Sequence, residues 1–238
     1  MLPEEDDGMA AKDGARVKVT RNGPYVVKGS VPLIKEVVVR DKDGIPQEWK
    51  RTGEYPEKEN YALCRCGHSQ NGPYCDGSHV RVDFDGTETA SRRPYRERAT
   101  LLEGTTIDMM DVKGLCMTAQ FCNRAGGFRK LVSASDDPVK RELAIEVAGQ
   151  CPSGRLVACE KDGTPIEPEL EKSISVTEDP DKGVSGALWV KGGIPIESED
   201  GQEYEVRNRV TLCRCGKSNK KPFCDGTHNL IRFRDGPV

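Results

Sequence analysis

Short runs in which Val, Ile or Tyr alternates with polar residues recur along the chain, each bounded by Gly, Pro or Asp. Alternation of period two marks half-buried strands. It predicts strands at 16–20, 25–28, 34–40, 59–63 and 80–84. It predicts a second set at 173–177, 187–191, 204–206 with 209–212, and 230–233. One segment follows the helical period instead. Asp137 is placed as an N-cap, Pro138 at the first helical position, and Val139, Leu143 and Val147 lie four apart, so a helix is expected over 138–148, stopped by Gly149. A strand is expected to follow at 155–160.

The two sets of strands belong to an internal repeat. Leu63-Cys64-Arg65-Cys66-Gly67 recurs as Leu212-Cys213-Arg214-Cys215-Gly216, 149 residues later. Pro73-Tyr74-Cys75-Asp76-Gly77-Ser78-His79 recurs as Pro222-Phe223-Cys224-Asp225-Gly226-Thr227-His228 at the same offset. Upstream, the run from Gly23 to Leu33 matches that from Gly186 to Ile196 at an offset of 163, so the first copy carries 14 extra residues. These lie around 42–59, a charged stretch with Pro46, Gly53 and Pro56, and read as a longer loop. Two copies are too few for a solenoid and suit a pseudo-twofold pair, packed as the subunits of a homodimer would be.

Composition sharpens this picture. Of 238 residues, Leu, Ile, Val and Phe supply 48, near the level at which a chain struggles to bury a core. Val and Ile outnumber Leu 30 to 13, so small β-rich units are expected, and the ten Cys are the obvious staples. With 36 Lys+Arg against 39 Asp+Glu, the net charge of −3 argues against a nucleic-acid binder. The longest run free of charged residues is ten, at 114–123, far short of the roughly 20 apolar residues of a membrane-spanning helix. The acidic start, residues 1–15, resembles neither a secretory signal nor a transit peptide and reads as a flexible tail. A reducing cytoplasm is the expected compartment, where paired Cys more often bind metal than form disulfides.

Each copy of the cysteine motif reads C-x-C-x2-S-x3-P-x-C-D-G-[ST]-H. Soft thiolates with one imidazole suit zinc or an iron–sulfur cluster. Structural zinc sites usually open with C-x2–4-C, whereas this motif opens with C-x-C. The Asp-Gly after the third Cys can cap a short turn that presents that Cys and the His together. Two pairs of ligands suit the two irons of a [2Fe–2S] cluster. The motif resembles the signature of the CDGSH iron–sulfur (NEET) family, and the flank from Phe84 to Ala90 looks like prokaryotic members. The resemblance implies that Cys64 and Cys66 hold one iron and Cys75 and His79 the other. Cys213, Cys215, Cys224 and His228 would repeat this. It also implies a tandem, pseudo-symmetric monomer without a membrane anchor. A neutral imidazole in place of a thiolate removes one negative charge and raises the reduction potential. It also makes ligation acid-sensitive. Arg214, Lys217, Lys220 and Lys221 around the second motif, against Arg65 and His68 around the first, suggest either a basic rim for an acidic redox partner or a solvated loop. His68 itself reads as an exposed loop residue.

Four more cysteines lie between the copies. Cys116 and Cys122 frame C-x2-A-x2-C, and Cys151 opens C-P-S-G. A ferredoxin run has C-x2-C-x2-C with a remote C-P, so Ala119 stands where the middle Cys would be. Three thiolates are the ligand count of a [3Fe–4S] cluster. The segment resembles divergent single-cluster ferredoxins, which implies Cys116, Cys122 and Cys151 as ligands of a [3Fe–4S] or [4Fe–4S] cluster. Cys159 is a doubtful fourth, since a buried core Cys is the commoner case. A metal-free remnant and a zinc or disulfide site are the alternatives.

The expected fold is α+β and β-dominated. After the tail come a first CDGSH module (16–92), a ferredoxin-like insert (93–170) and a second CDGSH module (171–238). The expected function is electron transfer through two [2Fe–2S] clusters and a third cluster. Storage or delivery of clusters to apo-acceptor proteins is the alternative. The chain shows no P-loop, dinucleotide Gly motif or Ser–His pair, so a non-enzymatic role is expected.

Overall fold

The computed structural model describes residues 14–236; the tail expected at 1–15 falls almost wholly outside them. The chain is β-rich, with thirteen strands in three sheets among the described residues. The first copy contributes β1 (Arg16–Val19), β2 (Tyr25–Lys28), β3 (Leu33–Arg40), β4 (Pro46–Glu54) and β5 (Asn60–Leu63). The middle segment contributes β6 (Thr100–Leu102), β7 (Ile107–Asp111), β8 (Leu156–Glu160) and β9 (Pro165–Ile166). The second copy contributes β10 (Ser173–Asp179), β11 (Val184–Lys191), β12 (Ile196–Glu197) and β13 (Arg209–Leu212).

The copies exchange strands. One sheet has the order β12-β1-β2-β5, the other β13-β11-β10-β3-β4. In each, a strand from the opposite copy pairs in parallel with the first strand of the resident copy: β12 with β1, and β3 with β10. All other pairings in these two sheets are antiparallel. One apolar cluster fills the space between the copies. It holds Val17, Val19, Tyr25, Val27, Leu33 and Leu63 together with Ile174, Val176, Leu188, Val190, Ile196 and Leu212. Each such apolar side chain contributes about 1.5–3 kcal/mol on burial, and both copies supply residues to this one shared core. Polar ties reinforce the exchange. Lys191 Nζ on β11 meets Glu36 Oε2 on β3 at 2.9 Å, with both side chains nearly buried.

The middle segment forms the third, antiparallel sheet, β6-β7-β8-β9. Ile107, Met109, Leu156 and Ala158 face α3 (Phe128–Ser133) and α4 (Pro138–Gly149). The alternate residues Val157 and Cys159 face Tyr95 and Val112 on the other side. The segment docks on the second copy through Arg209, whose guanidinium donates to the carbonyls of Ala148, Cys151 and Leu156 and pairs with Glu167. Trp49 of β4 adds an aromatic joint, packing between Phe121 and Trp189 at 5.3 and 5.5 Å.

Several sequence expectations are corrected. The stretch 42–59 is not simply a loop: half of it is β4, an edge strand closing a hairpin with β3. Its turn is held by the Asp41 carboxylate, which accepts from the backbone N–H of Asp43 and Ile45. An edge strand tolerates charged side chains and an initial Pro, which hid it. The strands expected at 80–84 and 230–233 are instead short helical turns, α1 (Ser78–Arg81) and α5 (Thr227–Leu230), and their tails. The preceding Gly77 and Gly226 are left-handed, and this local turn chemistry overrides β-propensity. No strand forms at 204–206; only an isolated bridge joins Glu197 and Glu203. α4 is capped by Asp137 as expected, but Val139 is exposed and Ala144, Val147 and Ala148 are buried. β6, β7, α2 (Tyr95–Arg98) and α3 were not anticipated.

Tyr25 ties the copies directly. Its hydroxyl lies 2.9 Å from both Cys213 O and Pro222 O and can donate to either, fixing the backbone of the second cysteine motif from a strand of the first copy. Tyr25→Phe leaves buried carbonyl capacity unmet and should lower stability by about 1–3 kcal/mol. A denaturant titration should show the midpoint falling with an unchanged slope.

Candidate metal centres

Each cysteine motif is built at the end of a strand. β5 ends at Leu63 and delivers Cys64 and Cys66; β13 ends at Leu212 and delivers Cys213 and Cys215. Cys64 and Cys66 Sγ lie 3.7 Å apart, and Cys213 and Cys215 Sγ lie 3.8 Å apart. The third Cys and the His come from the Asp-Gly turn. Asp76 Oδ1 accepts from Ser78 N–H at 2.9 Å, and Asp225 Oδ1 from Thr227 N–H at 3.0 Å. These turns bring Cys75 Sγ to 3.4 Å from His79 Nδ1, and Cys224 Sγ to 3.3 Å from His228 Nδ1. Gly77 N–H and Gly226 N–H point at the Cys75 and Cys224 sulfurs.

These spacings can be tested against metal geometry. Two sulfurs each about 2.3 Å from one tetrahedral ion stand about 3.8 Å apart, and a sulfur–imidazole pair slightly closer. Each pair in the structure therefore matches two ligands on one ion. Among the described residues no group of three His, Cys, Asp or Glu converges as ligands of a single ion. The four groups of each motif stand as two pairs, a donor set that fits a two-iron cluster.

In the metal-free chain burial favours the neutral form at several of these groups, while a hydrogen bond with Cys215 brings the Cys213 thiol down to about 7. Burial, with Cys64 alongside, pushes the Cys66 thiol up to about 12; burial also raises Cys75 and, further, Cys224. Metal loading at Cys66, Cys75 and Cys224 must therefore displace thiol protons. Burial brings His228 down to about 4, so its imidazole is neutral at physiological pH, as ligation requires.

The arginines between the paired cysteines are not a surface rim. Arg65 and Arg214 are 1% and 2% exposed. Arg65 donates to the carbonyls of Thr20 and Gly86, and stacks on Tyr25 and Phe84. Arg214 is bound by two carboxylates, Glu178 at 2.9 Å and Asp235 at 2.8 Å. His68 is exposed, as are Lys217 and Lys220.

The middle cysteines converge less tightly. Cys116, Cys122 and Cys151 line one small pocket with Ala119, Phe121, Ser153 and Arg155. Burial raises the Cys122 thiol, and Cys151 and Cys116 add to the effect. Arg155 is held charged by Asp111 at 2.7 Å, placing a cation beside the cysteines. Cys159 does not join them. It is buried on the opposite face of β8, where Tyr95, Val112 and Val157 enclose it.

Family comparisons agree with this geometry. Residues 22–80 and 185–229 both match the model described as iron-binding zinc finger CDGSH type, and residues 102–161 match the divergent 4Fe-4S mono-cluster model. The chain carries two CDGSH-type iron-binding regions in tandem around a divergent 4Fe-4S segment. No curated protein matches it. The 4Fe-4S-type match spans β7, both middle helices and β8, so it covers the pocket and its scaffold. No helix among the described residues is long and apolar enough to cross a membrane.

Residues around the second CDGSH motif escaped the sequence reading. Met117 packs on Cys224 and Ala187. Thr118 Oγ1 accepts from Asn229 Nδ2 at 2.6 Å, and Asn229 Nδ2 lies 2.9 Å from His228 Nε2. The signal was present in the repeat, because Asn229 stands at the position of Val80.

The two C-x-C-Gly loops cross back to back. A Cβ on Gly67 would fall 2.5 Å from Cys215 O, and one on Gly216 would fall 2.7 Å from Cys66 C. Both glycines have left-handed φ, +78° and +73°. Gly67→Ala should therefore damage the opposite motif as well as its own. Iron content should fall at both CDGSH sites, and stability should drop by more than about 2 kcal/mol. An exposed left-handed control, Gly44→Ala, has open space around it and should keep full iron content.

Proposed function

We propose that this iron–sulfur protein carries electrons, using one [2Fe–2S] cluster in each CDGSH motif and a third cluster in the middle segment. The observation that carries the reading is the pairing of ligands: Cys–Cys and Cys–His pairs, twice, each at the spacing of two ligands on one metal. Cys64 and Cys66 hold one iron, Cys75 and His79 the next; Cys213 and Cys215 hold one, Cys224 and His228 the next. The three cysteines of the pocket, with Ala119 at the missing position, fit a [3Fe–4S] cluster; a [4Fe–4S] cluster needs a fourth ligand from outside the cysteine set. The clusters supply one-electron chemistry when bound. The protein's own part is to bury the thiolates, present neutral imidazoles and fix charges around each site. The reciprocal strand exchange supports reading the CDGSH modules, 16–92 and 171–238, as a pseudo-twofold pair beside the insert, 93–170.

Electron transfer and cluster delivery differ in what happens to the metal. A carrier is reduced and reoxidised with its clusters intact; a donor loses them to an apo-acceptor ferredoxin. The burial of both C-x-C pairs favours the carrier. Electron paramagnetic resonance tests the assignment. Oxidised [2Fe–2S] centres are silent, whereas an oxidised [3Fe–4S] centre is paramagnetic. The protein as isolated should show a signal that Cys151→Ser abolishes and Cys159→Ser retains. After reduction and reoxidation the iron content should be unchanged. A signal lost with Cys159→Ser but kept with Cys151→Ser would reverse the ligand assignment. Complete passage of iron to an apo-acceptor during one redox cycle would favour delivery.

A further inference from the structure

The two CDGSH sites have the same ligands but different surroundings. At the first site nothing lies within 4 Å of a Cβ built on Gly77, His79 is half-buried, and Val80 beside it is 74% exposed. At the second, a Cβ on Gly226 would meet Thr118 Cγ2 at 2.8 Å and Met117 C at 3.3 Å, and Cys224 and His228 are 3% and 4% exposed. The covering atoms belong to the loop between Cys116 and Cys122, which also lines the middle pocket. Asn229 clamps that loop, with Thr118 on one side and His228 Nε2 on the other. Lys220 Nζ donates to Gly114 O and Lys182 Nζ to Gln120 Oε1 at the two ends of the loop.

Fixed charge differs as well. Arg65 and Arg214 occupy matching places, and each donates to a matching carbonyl, Thr20 O and Thr177 O. The remaining partners diverge. Gly86 offers Arg65 only a backbone carbonyl where Asp235 offers Arg214 a carboxylate. Glu178 stands on β10 where Arg21 follows β1. The first site thus has a buried guanidinium with carbonyl partners, and the second has one guanidinium against two buried carboxylates. Adding an electron to an anionic cluster is easier beside uncompensated positive charge, and in a poorly solvated site the difference is weakly screened.

We infer that the two CDGSH centres have different tasks: the second is a closed relay sharing a wall with the middle site, and the first is the open, more easily reduced terminal at which a soluble donor or acceptor exchanges electrons. This rests on the cluster reading above. The Met117–Thr118 loop and Asn229 shield the relay, and Glu178 with Asp235 hold it harder to reduce. Electrons held at the middle or second centre then run toward the first.

The test uses the full-length, cluster-loaded protein. Iron loss to a chelator, followed by absorbance, should show a fast and a slow phase from the two CDGSH centres. Cys75→Ser should remove the fast phase and Cys224→Ser the slow one, with rates at least about tenfold apart. Asn229→Val gives the second site the residue carried by the first. It should bring the slow phase to within about threefold of the fast phase, which stays unchanged. In a potentiometric titration read by paramagnetic resonance, the first centre should be reduced before the second. Glu178→Gln should shift the second centre's reduction equilibrium about tenfold toward the reduced form, about 59 mV for one electron, and leave the first where it was. Should the cysteine variants fail to fold, the wild-type phases and the Asn229 and Glu178 variants still decide. Equal loss rates at the two centres, a slow phase untouched by Asn229→Val, or a second centre reduced first would each overturn the inference. A protein without acid-labile sulfide would instead overturn the cluster reading on which it rests.

Discussion

The crossing of the Cys66–Gly67 and Cys215–Gly216 backbones is the constraint on which the rest of the structure depends. Two chain segments meet there so closely that neither tolerates a Cβ. The contact is possible because each motif follows a strand of its own sheet, while each sheet completes itself with a strand from the other copy. The exchanged strands pull the sheets together over one core, and the core sets the cysteine loops back to back. A chain with so few large apolar residues could not hold two such sites in separate modules. By merging the copies it buries enough surface for both.

Within that frame the middle segment packs on both copies but covers only the second CDGSH site. It docks through Arg209 and the Trp49–Phe121–Trp189 contact, and this places its cysteine loop against Cys224 and His228. An internal duplication starts with equivalent sites. An insert that packs on one of them makes them unequal without altering a ligand. The buried arginines extend the same logic, because their partners differ where the repeat differs, at Gly86 against Asp235 and Arg21 against Glu178.

The Cys–Cys and Cys–His pairs were legible in the sequence because their spacing is local: C-x-C at a strand end and C-D-G-x-H around a turn leave little conformational choice. The helix Pro138–Gly149 was legible from its cap, and the central strands from their Val-rich alternation. Elements shaped by tertiary context were not. β4 is an edge strand whose exposed face carries charge, so no alternation shows. The apolar tails after His79 and His228 look like strands, but left-handed glycines commit them to helical turns. The parallel pairing of β3 with β10, across more than 130 residues, has no local signature at all. Arg65 and Arg214 looked like surface charges because their carbonyl and carboxylate partners are remote in sequence.

The central claim is that paired ligands hold two-iron clusters and that three further cysteines hold a third. Iron, zinc and acid-labile sulfide counted on anaerobically purified protein test it most directly. The account predicts about seven or eight irons and about eight acid-labile sulfides per chain, with no stoichiometric zinc, from two two-iron centres and one of three or four irons. About two zinc ions per chain with no sulfide would contradict it.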